Sequence, residues 1–182
     1  MSVVTEPLAG TFVADPAHSS FRFTIKHMAV NTFTASFDDV AATLVADAEG
    51  VRLQGSARAE SISIKAPKEF REHVVYGADF LDAGQHPEIT LGSDEIRLAE
   101  DGTVTATGWL TIKGITRPIV ATGTYQAPVE DPYGSMRTAL EVHATVDRRD
   151  WDMGWQAPLP RGGDVLGYEV ELVANVELIQ AS

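Results

Sequence analysis

Histidine is the side chain best able to bind a metal ion or move a proton near neutral pH. The chain has five histidines, His18, His27, His73, His86 and His143. No pair of them has the i, i+4 spacing or the HExxH pattern of a helical metal site. The chain also contains no cysteine. The sequence therefore predicts no metal site, no disulfide and no cysteine nucleophile.

Two of the histidines have neighbours or positions that suggest acid–base chemistry. Asp15 could orient the His18 imidazole and raise its basicity, although an Asp before Pro16 more often forms a turn. His18 and His27 flank one predicted strand, and their odd separation places them on opposite faces, roughly 30 Å apart. An enzyme that acts on a hydrophobic ligand, with His18 or His27 as the acid or base, is the alternative function.

The segment from Arg148 to Trp155 combines two arginines with two of the three tryptophans. The guanidinium groups could receive an anionic ligand head while the indole rings contact its apolar body. In the other interpretation, which we favour for the arginines, Arg148 or Arg149 forms an ion pair with Asp147 or Asp150. Trp151 and Trp155 satisfy both interpretations, because an aromatic plug at the mouth of a pocket also touches the ligand.

The elements that position these side chains are strands, because apolar and polar residues alternate with period two along much of the chain. A single short helix near 67–76 interrupts them, between Pro67 and Gly77. The strands number about eight, enough for a closed barrel that holds one small ligand. The predicted strands cover 11–14, 18–27, 32–47, 51–60, 87–96, 103–112, 117–125, 137–147 and 169–179.

Several of the apolar rows contain unusually small side chains. Protein interiors pack near crystal density, so a closed sheet with such rows either narrows or encloses a cavity. Close packing and barrel corners are the other interpretation, since glycine marks sites of close backbone approach. The sequence leaves both open. The small residues that would supply volume are Gly55, Ala57, Gly108, Gly123, Ala144 and Ala174.

Composition excludes several classes of function. Asp and Glu number 26 against 14 Lys and Arg, a formal net charge of −12, which is the wrong sign for a nucleic-acid partner. The chain has no stretch of roughly 18 apolar residues that would form a transmembrane segment. Its first residues do not resemble a secretion signal. We expect one cytoplasmic domain, residues 1–182, without a cofactor. Trp109 should point outward and could mark a homodimer surface.

Four motifs stand out by their order. The first covers 15–27, the second covers 78–82 with 86–89, the third covers 110–118, and the last covers 147–151 with 162–163. Together they resemble the YceI-like family of lipocalin-like, polyisoprenoid-binding proteins, over about residues 10–178. The chain departs from the family pattern in having Ala35 and Asp152 where Gly is common, and Tyr168 where Asp is common.

The resemblance implies an all-β fold, an eight-stranded antiparallel lipocalin-like barrel. It also implies a ligand, an isoprenoid, a quinone or another long amphiphilic lipid, held in the barrel interior by a carrier rather than by a catalyst. We predict ligand contacts from Phe21, Phe23, Ile25, His27, Phe33, Phe37, Phe80, Leu110, Leu140, Val142, Arg148, Trp151 and Trp155.

Overall fold

The computed structural model describes residues 7–181 and consists mainly of antiparallel strands. Its α-helix, α1, spans Lys68–Tyr76, and 3₁₀ turns cover Ala59–Ser61 and Arg148–Trp151. The strand segments are β1 Gly10–Ala14, β2 Ser20–His27, β3 Asn31–Phe37, β4 Val40–Asp47, β5 Gly50–Arg58, β6 Ile62–Ser63, β7 Glu88–Leu98, β8 Thr103–Ile112, β9 Ile115–Glu130, β10 Met136–Asp147 and β11 Leu166–Gln180.

The sheet closes on itself because β1 pairs with β4 on one side and with β11 on the other. β1 and β2 occupy successive stretches of the same edge of β11, separated by residues 15–19. In the same way, β3 and β4 form one long strand that is interrupted at 38–39, inside the predicted strand at 32–47. The segments therefore make a closed barrel of eight antiparallel strands with one helix, which confirms the predicted fold.

The helix also lies where the sequence predicts it. Pro67 immediately precedes it, where the missing backbone N–H leaves no hydrogen bond unmade, and Gly77 follows it. Several strand boundaries differ from the prediction. β9 continues to Glu130, well past the predicted end, and the predicted strand at 51–60 turns into a 3₁₀ turn after Arg58.

Buried apolar residues form two clusters, one toward each end of the barrel. One cluster fills its end with side chains from β1, β4, β8, β10 and β11, among them Phe12, Leu44 and Leu178, which have almost no exposed surface. The other packs α1 and the segment after it against the barrel, with Val75 and Trp151 fully buried. The barrel therefore has one solid end and one end that α1 covers.

Two glycines of the small rows serve close backbone approach rather than volume. A Cβ atom at Gly108 would overlap the carbonyl oxygen of Gly92 on β7, and one at Gly123 would overlap the carbonyl oxygen of Glu141 on β10. Strands β7 and β8 change register beside Gly108. At these positions the barrel-corner interpretation is correct, because neighbouring strands come too close for any side chain.

Replacing Gly123 by alanine should destabilise the barrel by about 1–3 kcal/mol, because two backbones must move apart. Ala121 lies two residues away on the same strand and the same face, and Ala121→Gly should cost only about 0.5–1 kcal/mol of lost backbone order. Urea unfolding of both variants measures the difference. Equal, small losses would show that the sheet accepts a Cβ atom at residue 123.

Between residues 7 and 181, no helix is both long and apolar enough to cross a membrane.

Candidate functional site

A cavity of about 800 Å³ lies inside the barrel, between the solid end and α1. Ligand pockets in proteins usually measure about 300–1,000 Å³, so this one can hold a substantial small molecule. Its wall combines the inner faces of β2, β3, β5 and β7 to β11 with side chains of α1. The cavity interpretation of the small rows is therefore correct for the barrel interior.

The alanines of the small rows create the space. Their side chains lie on the inner faces of five different strands and are too short to meet across the interior. These alanines are Ala57, Ala106, Ala121, Ala144 and Ala174, and Ala35 of β3 lines the cavity as well. Phenylalanines cover the β2–β3 wall, where the Phe23 ring lies 6.4 Å from Phe33 and 6.1 Å from Phe37, centroid to centroid. The rings pack along one wall and leave the centre open.

The structure brings most of the predicted contact residues to this cavity. Ten of the predicted residues line it, namely Phe21, Phe23, Ile25, His27, Phe33, Phe37, Phe80, Leu110, Val142 and Arg148. Leu140, Trp151 and Trp155 lie elsewhere. Leu140 belongs to the solid end, so its inward direction follows from strand parity but its depth along the barrel does not.

The two tryptophans pack behind the cavity wall. The indole N–H of Trp151 donates a hydrogen bond to the carbonyl oxygen of Leu110 at 3.2 Å, and the side chain is completely enclosed. Trp155 stacks on Phe80 with ring centroids 5.5 Å apart, and His73 meets the Phe80 ring edge-on. Trp155 therefore holds Phe80 in place, and Phe80 itself lines the cavity.

Arg148 fastens the long segment between β10 and β11. Only 4% of its surface is exposed. Its Nε donates to the carbonyl oxygen of Gly167 at 2.8 Å, Nη2 to that of Trp155 at 2.8 Å, and Nη1 to that of Met153. Burial lowers the pKa of Arg148 from its ordinary value. The guanidinium group is thus bound to three backbone carbonyls and forms part of the cavity wall.

The predicted ion pair forms, and the arginine that makes it is Arg149. Arg149 donates to both carboxylate oxygens of Asp147, and this hydrogen bonding lowers the pKa of Asp147 to about 2. Arg148 donates its hydrogen bonds to backbone carbonyls instead of a carboxylate, because the segment between β10 and β11 folds back over it. Tyr168 covers both groups, with its ring centroid 4.8 Å from the Arg148 guanidinium carbon and 4.2 Å from that of Arg149.

The cavity opens beside β3. Only Ser36 and Phe37 of this strand pair with β6, so the rest of that edge has no partner strand within the described residues. Exposed lining residues are concentrated along this edge, in β6 and the segment after it, and on α1, and they include Asn31, Thr32, Thr34, Ser63, Lys65 and Phe70. We call this opening the mouth. Its residues have no periodic pattern, so the sequence does not predict Asn31, Thr32, Lys65 and Phe70 as site residues.

The charged side chains along the cavity are cationic. Lys65 and Arg148 line it, and Arg22 adjoins it from the exposed face of β2, whereas none of the Asp and Glu residues placed in the structure lines it. The whole chain carries 26 acidic residues and a net charge of −12. The acidic groups in the described part of the chain therefore lie on other surfaces, and the cavity wall is apolar with few cations.

Asp15 and His18 do pair, but outside the cavity. Asp15 accepts a hydrogen bond from Ala17 N–H at 3.0 Å, forming the expected turn, and its other oxygen lies 2.9 Å from His18 Nδ1. Arg137 donates to Asp15 and Glu177 at 2.9 and 2.5 Å. His18 and Arg137 lower the pKa of Asp15 to about 2, and Asp15 raises that of His18.

This cluster joins the turn between β1 and β2 to β10 and β11. Asp15, His18 and Glu177 lie close enough to share an ion, but the Arg137 guanidinium already donates to both carboxylates. Arg137 also donates to Asp131 at 2.7 Å, in the β9–β10 turn. The arrangement stabilises the turns at this end of the barrel.

An antiparallel barrel with a large apolar cavity that opens beside one strand edge defines a class of protein, the β-barrels that enclose a cavity. A family model described as a YceI-like domain matches residues 12–178. The chain therefore belongs to the YceI-like family, as the motifs predict. UPF0312 protein SA2479 of Staphylococcus aureus (strain N315) is 30% identical over 168 residues, which are 91% of this chain and 95% of that protein.

Solved structures share the architecture. Burkholderia cenocepacia BcnA aligns with a TM-score of 0.73 at 20% identity, over 90% of this chain and 98% of BcnA. A polyisoprenoid binding domain from Saccharophagus degradans, implicated in plant cell wall breakdown, aligns with a TM-score of 0.68 at 12% identity, over 96% of this chain and all of that domain. At these identities the comparison shows a common fold.

The contrast between the two arginines can be measured. Arg148→Met should lower the free energy of unfolding by about 3 kcal/mol, because three backbone carbonyls lose a charged donor. Arg149→Met removes an exposed pair with Asp147 and should cost much less. Chemical denaturation of both variants measures the two losses. Equal losses would contradict the role of Arg148 in fastening the segment.

The Asp15 carboxylate should stabilise the fold in a pH-dependent way. Its folded pKa of about 2 lies below the value of about 3.9 in unfolded chains, so its contribution is present above pH 4 and disappears as the pH falls toward 2. Asp15→Asn should therefore melt at a lower temperature than the wild type at pH 6 and at the same temperature near pH 2. A constant difference across this range would contradict the effect.

Proposed function

We propose that this protein binds one long amphiphilic lipid, of the isoprenoid or quinone class, in the barrel interior and carries or sequesters it. The observation that carries the proposal is the cavity of about 800 Å³, with its wall of alanines and phenylalanines and its mouth beside β3. Membership of the YceI-like family and the fold shared with a polyisoprenoid binding domain support the same ligand class.

Burial of the apolar chain would supply the affinity. Each CH₂ group removed from water contributes about 0.8 kcal/mol. Ten such groups would contribute about 8 kcal/mol, which corresponds to micromolar binding before the costs of ordering are subtracted. The contacts that we propose are the ten predicted residues that line the cavity. Phe23, Phe33 and Phe37 would lie along one side of the lipid chain.

The polar head of the ligand would lie at the mouth. Lys65 and His27 line the cavity there, and Asn31 and Thr32 add uncharged hydrogen-bonding groups. The Arg148 guanidinium already donates to three carbonyls, so it contributes mainly to the shape and the electrostatic potential of the cavity wall. The mouth therefore suits a neutral or anionic head better than a cationic one.

A carrier fits the placement of the histidines better than an enzyme. Of the two candidates for an acid or base, His18 lies in the Arg137 cluster outside the cavity, and His27 alone lines it. A cytoplasmic location and a homodimer through the Trp109 surface stay predictions.

Solvent extraction and mass spectrometry of the purified protein test this proposal. The wild type should yield a long-chain lipid in near-stoichiometric amount. Ala144→Trp places a large ring in the cavity and should reduce the bound lipid by at least about tenfold, because the ring takes the space of several CH₂ groups.

Thr145→Trp is the matched control, because the neighbouring side chain is exposed on the outer face of the same strand. It should retain the lipid at the wild-type level, and circular dichroism should show the same fold for both variants. Absence of lipid from the wild type, or equal lipid in the two variants, would reject the proposal.

A further inference from the structure

The turn between β2 and β3 presents an apolar tip to solvent. Its residues are Met28, Ala29 and Val30, and we call them the apolar tip. Val30 is 85% exposed and Met28 is 38% exposed, and neither residue lines the cavity. These are large fractions for side chains that proteins usually bury.

The backbone of the tip makes these apolar residues unexpected. Val30 N–H donates to the carbonyl oxygen of His27 at 3.1 Å, which closes a turn centred on Met28 and Ala29 inside the three-residue connection between β2 and β3. Met28 and Ala29 at its centre have φ angles of 52° and 53°. Turns of this kind favour Asn followed by Gly, because a side chain with a Cβ atom is strained in the left-handed region. The chain has apolar side chains where the backbone favours Asn and Gly.

The apolar tip is held in a fixed place beside the mouth. Met28 N–H donates to the carbonyl oxygen of Val165 at 2.7 Å, which ties the tip to the segment before β11. His27 and Asn31, on either side of the tip, both line the cavity. Phe70 of α1, which is 38% exposed, also lines the cavity. The exposed apolar side chains therefore adjoin the entrance.

Cations accompany these apolar side chains. Lys26 precedes the tip and donates from Nζ to Thr32 Oγ1 at 3.0 Å, and Lys65 lies on the cavity wall. The rest of the chain is strongly acidic. A negatively charged bilayer would repel most of the surface and attract this part of it, which would orient the mouth toward the lipid.

We propose that the apolar tip docks this protein on bilayers that contain anionic phospholipid, with Met28 and Val30 inserted among the lipids and the mouth against the surface. The inference rests on the proposed function, since a carrier of a water-insoluble chain must load and unload it at a membrane. Docking at the mouth lets the chain pass from the bilayer to the cavity without crossing water.

Co-flotation with vesicles tests the docking. Vesicles of phosphatidylcholine and phosphatidylglycerol at about 7:3 should carry the wild type upward. Val30→Asp should reduce the bound fraction by about tenfold, since it removes one inserted side chain and adds a repelled charge. Met28→Asn/Ala29→Gly should reduce it as well while relaxing the turn, so weaker binding cannot be attributed to a damaged hairpin.

Val120→Asp is the matched control. It makes the same substitution at a valine that is 62% exposed on β9, outside the cavity lining, and it should bind vesicles like the wild type. Docking through the tip is overturned if the wild type does not co-float, or if Val30→Asp and Val120→Asp bind equally.

Lipid extraction from the same preparations separates this inference from the proposed function. Val30→Asp should retain its bound lipid, because residue 30 lies outside the cavity lining. Retained lipid in a wild type that does not co-float overturns the docking alone. Absence of lipid from every protein rejects the carrier function, whatever the vesicles show.

Discussion

The barrel depends on β1, a strand of five residues that pairs with β4 and β11 together. A sheet with two free edges would expose unpaired backbone groups, and closure through β1 pairs these edges except along the part of β3 that forms the mouth. Because β1 is so short, the turn after it must also be held in place. Arg137 does this by joining Asp15 to Asp131 and Glu177. The ion pairs of Arg137 therefore stabilise the closed sheet, and the closed sheet encloses the interior.

Closure alone does not produce a cavity, since a barrel of eight strands can fill itself with side chains. Here the two ends use different residues on the same strands. Along β10, Leu140 is buried in the solid end, whereas Ala144 faces the cavity four residues later. Along β8, Val104 is buried and Ala106 lines the cavity. The change from large to small side chains along each strand sets the floor of the cavity.

Period-two alternation predicts the strands and the inward direction of most site residues, because both follow from parity. The turn residues Pro67 and Gly77 predict the helix. The depth of a residue along the barrel axis does not follow from parity. The sequence therefore predicts that Leu140 contacts the ligand, although its side chain lies in the solid end, below the floor of the cavity. The partners of Arg148 were also out of reach, because they are carbonyls whose positions depend on how a long irregular segment folds. A glycine can either let two backbones approach closely or leave open space, and these two uses look identical in the sequence. Only the structure, through the contacts of Gly108 and Gly123, shows that these two glycines allow close approach.

The distribution of polar groups indicates what such a cavity can select. Arg148, the most buried charge of the wall, has its donors occupied by Gly167, Met153 and Trp155, so it offers little directional recognition to a ligand. The polar groups at the mouth, including Lys65, are exposed, and water competes for their hydrogen bonds. Discrimination by such groups is weak, whereas an apolar wall rejects a chain that is too bulky for it. The protein should therefore select its ligand by the length and shape of the apolar chain and tolerate variation in the head group.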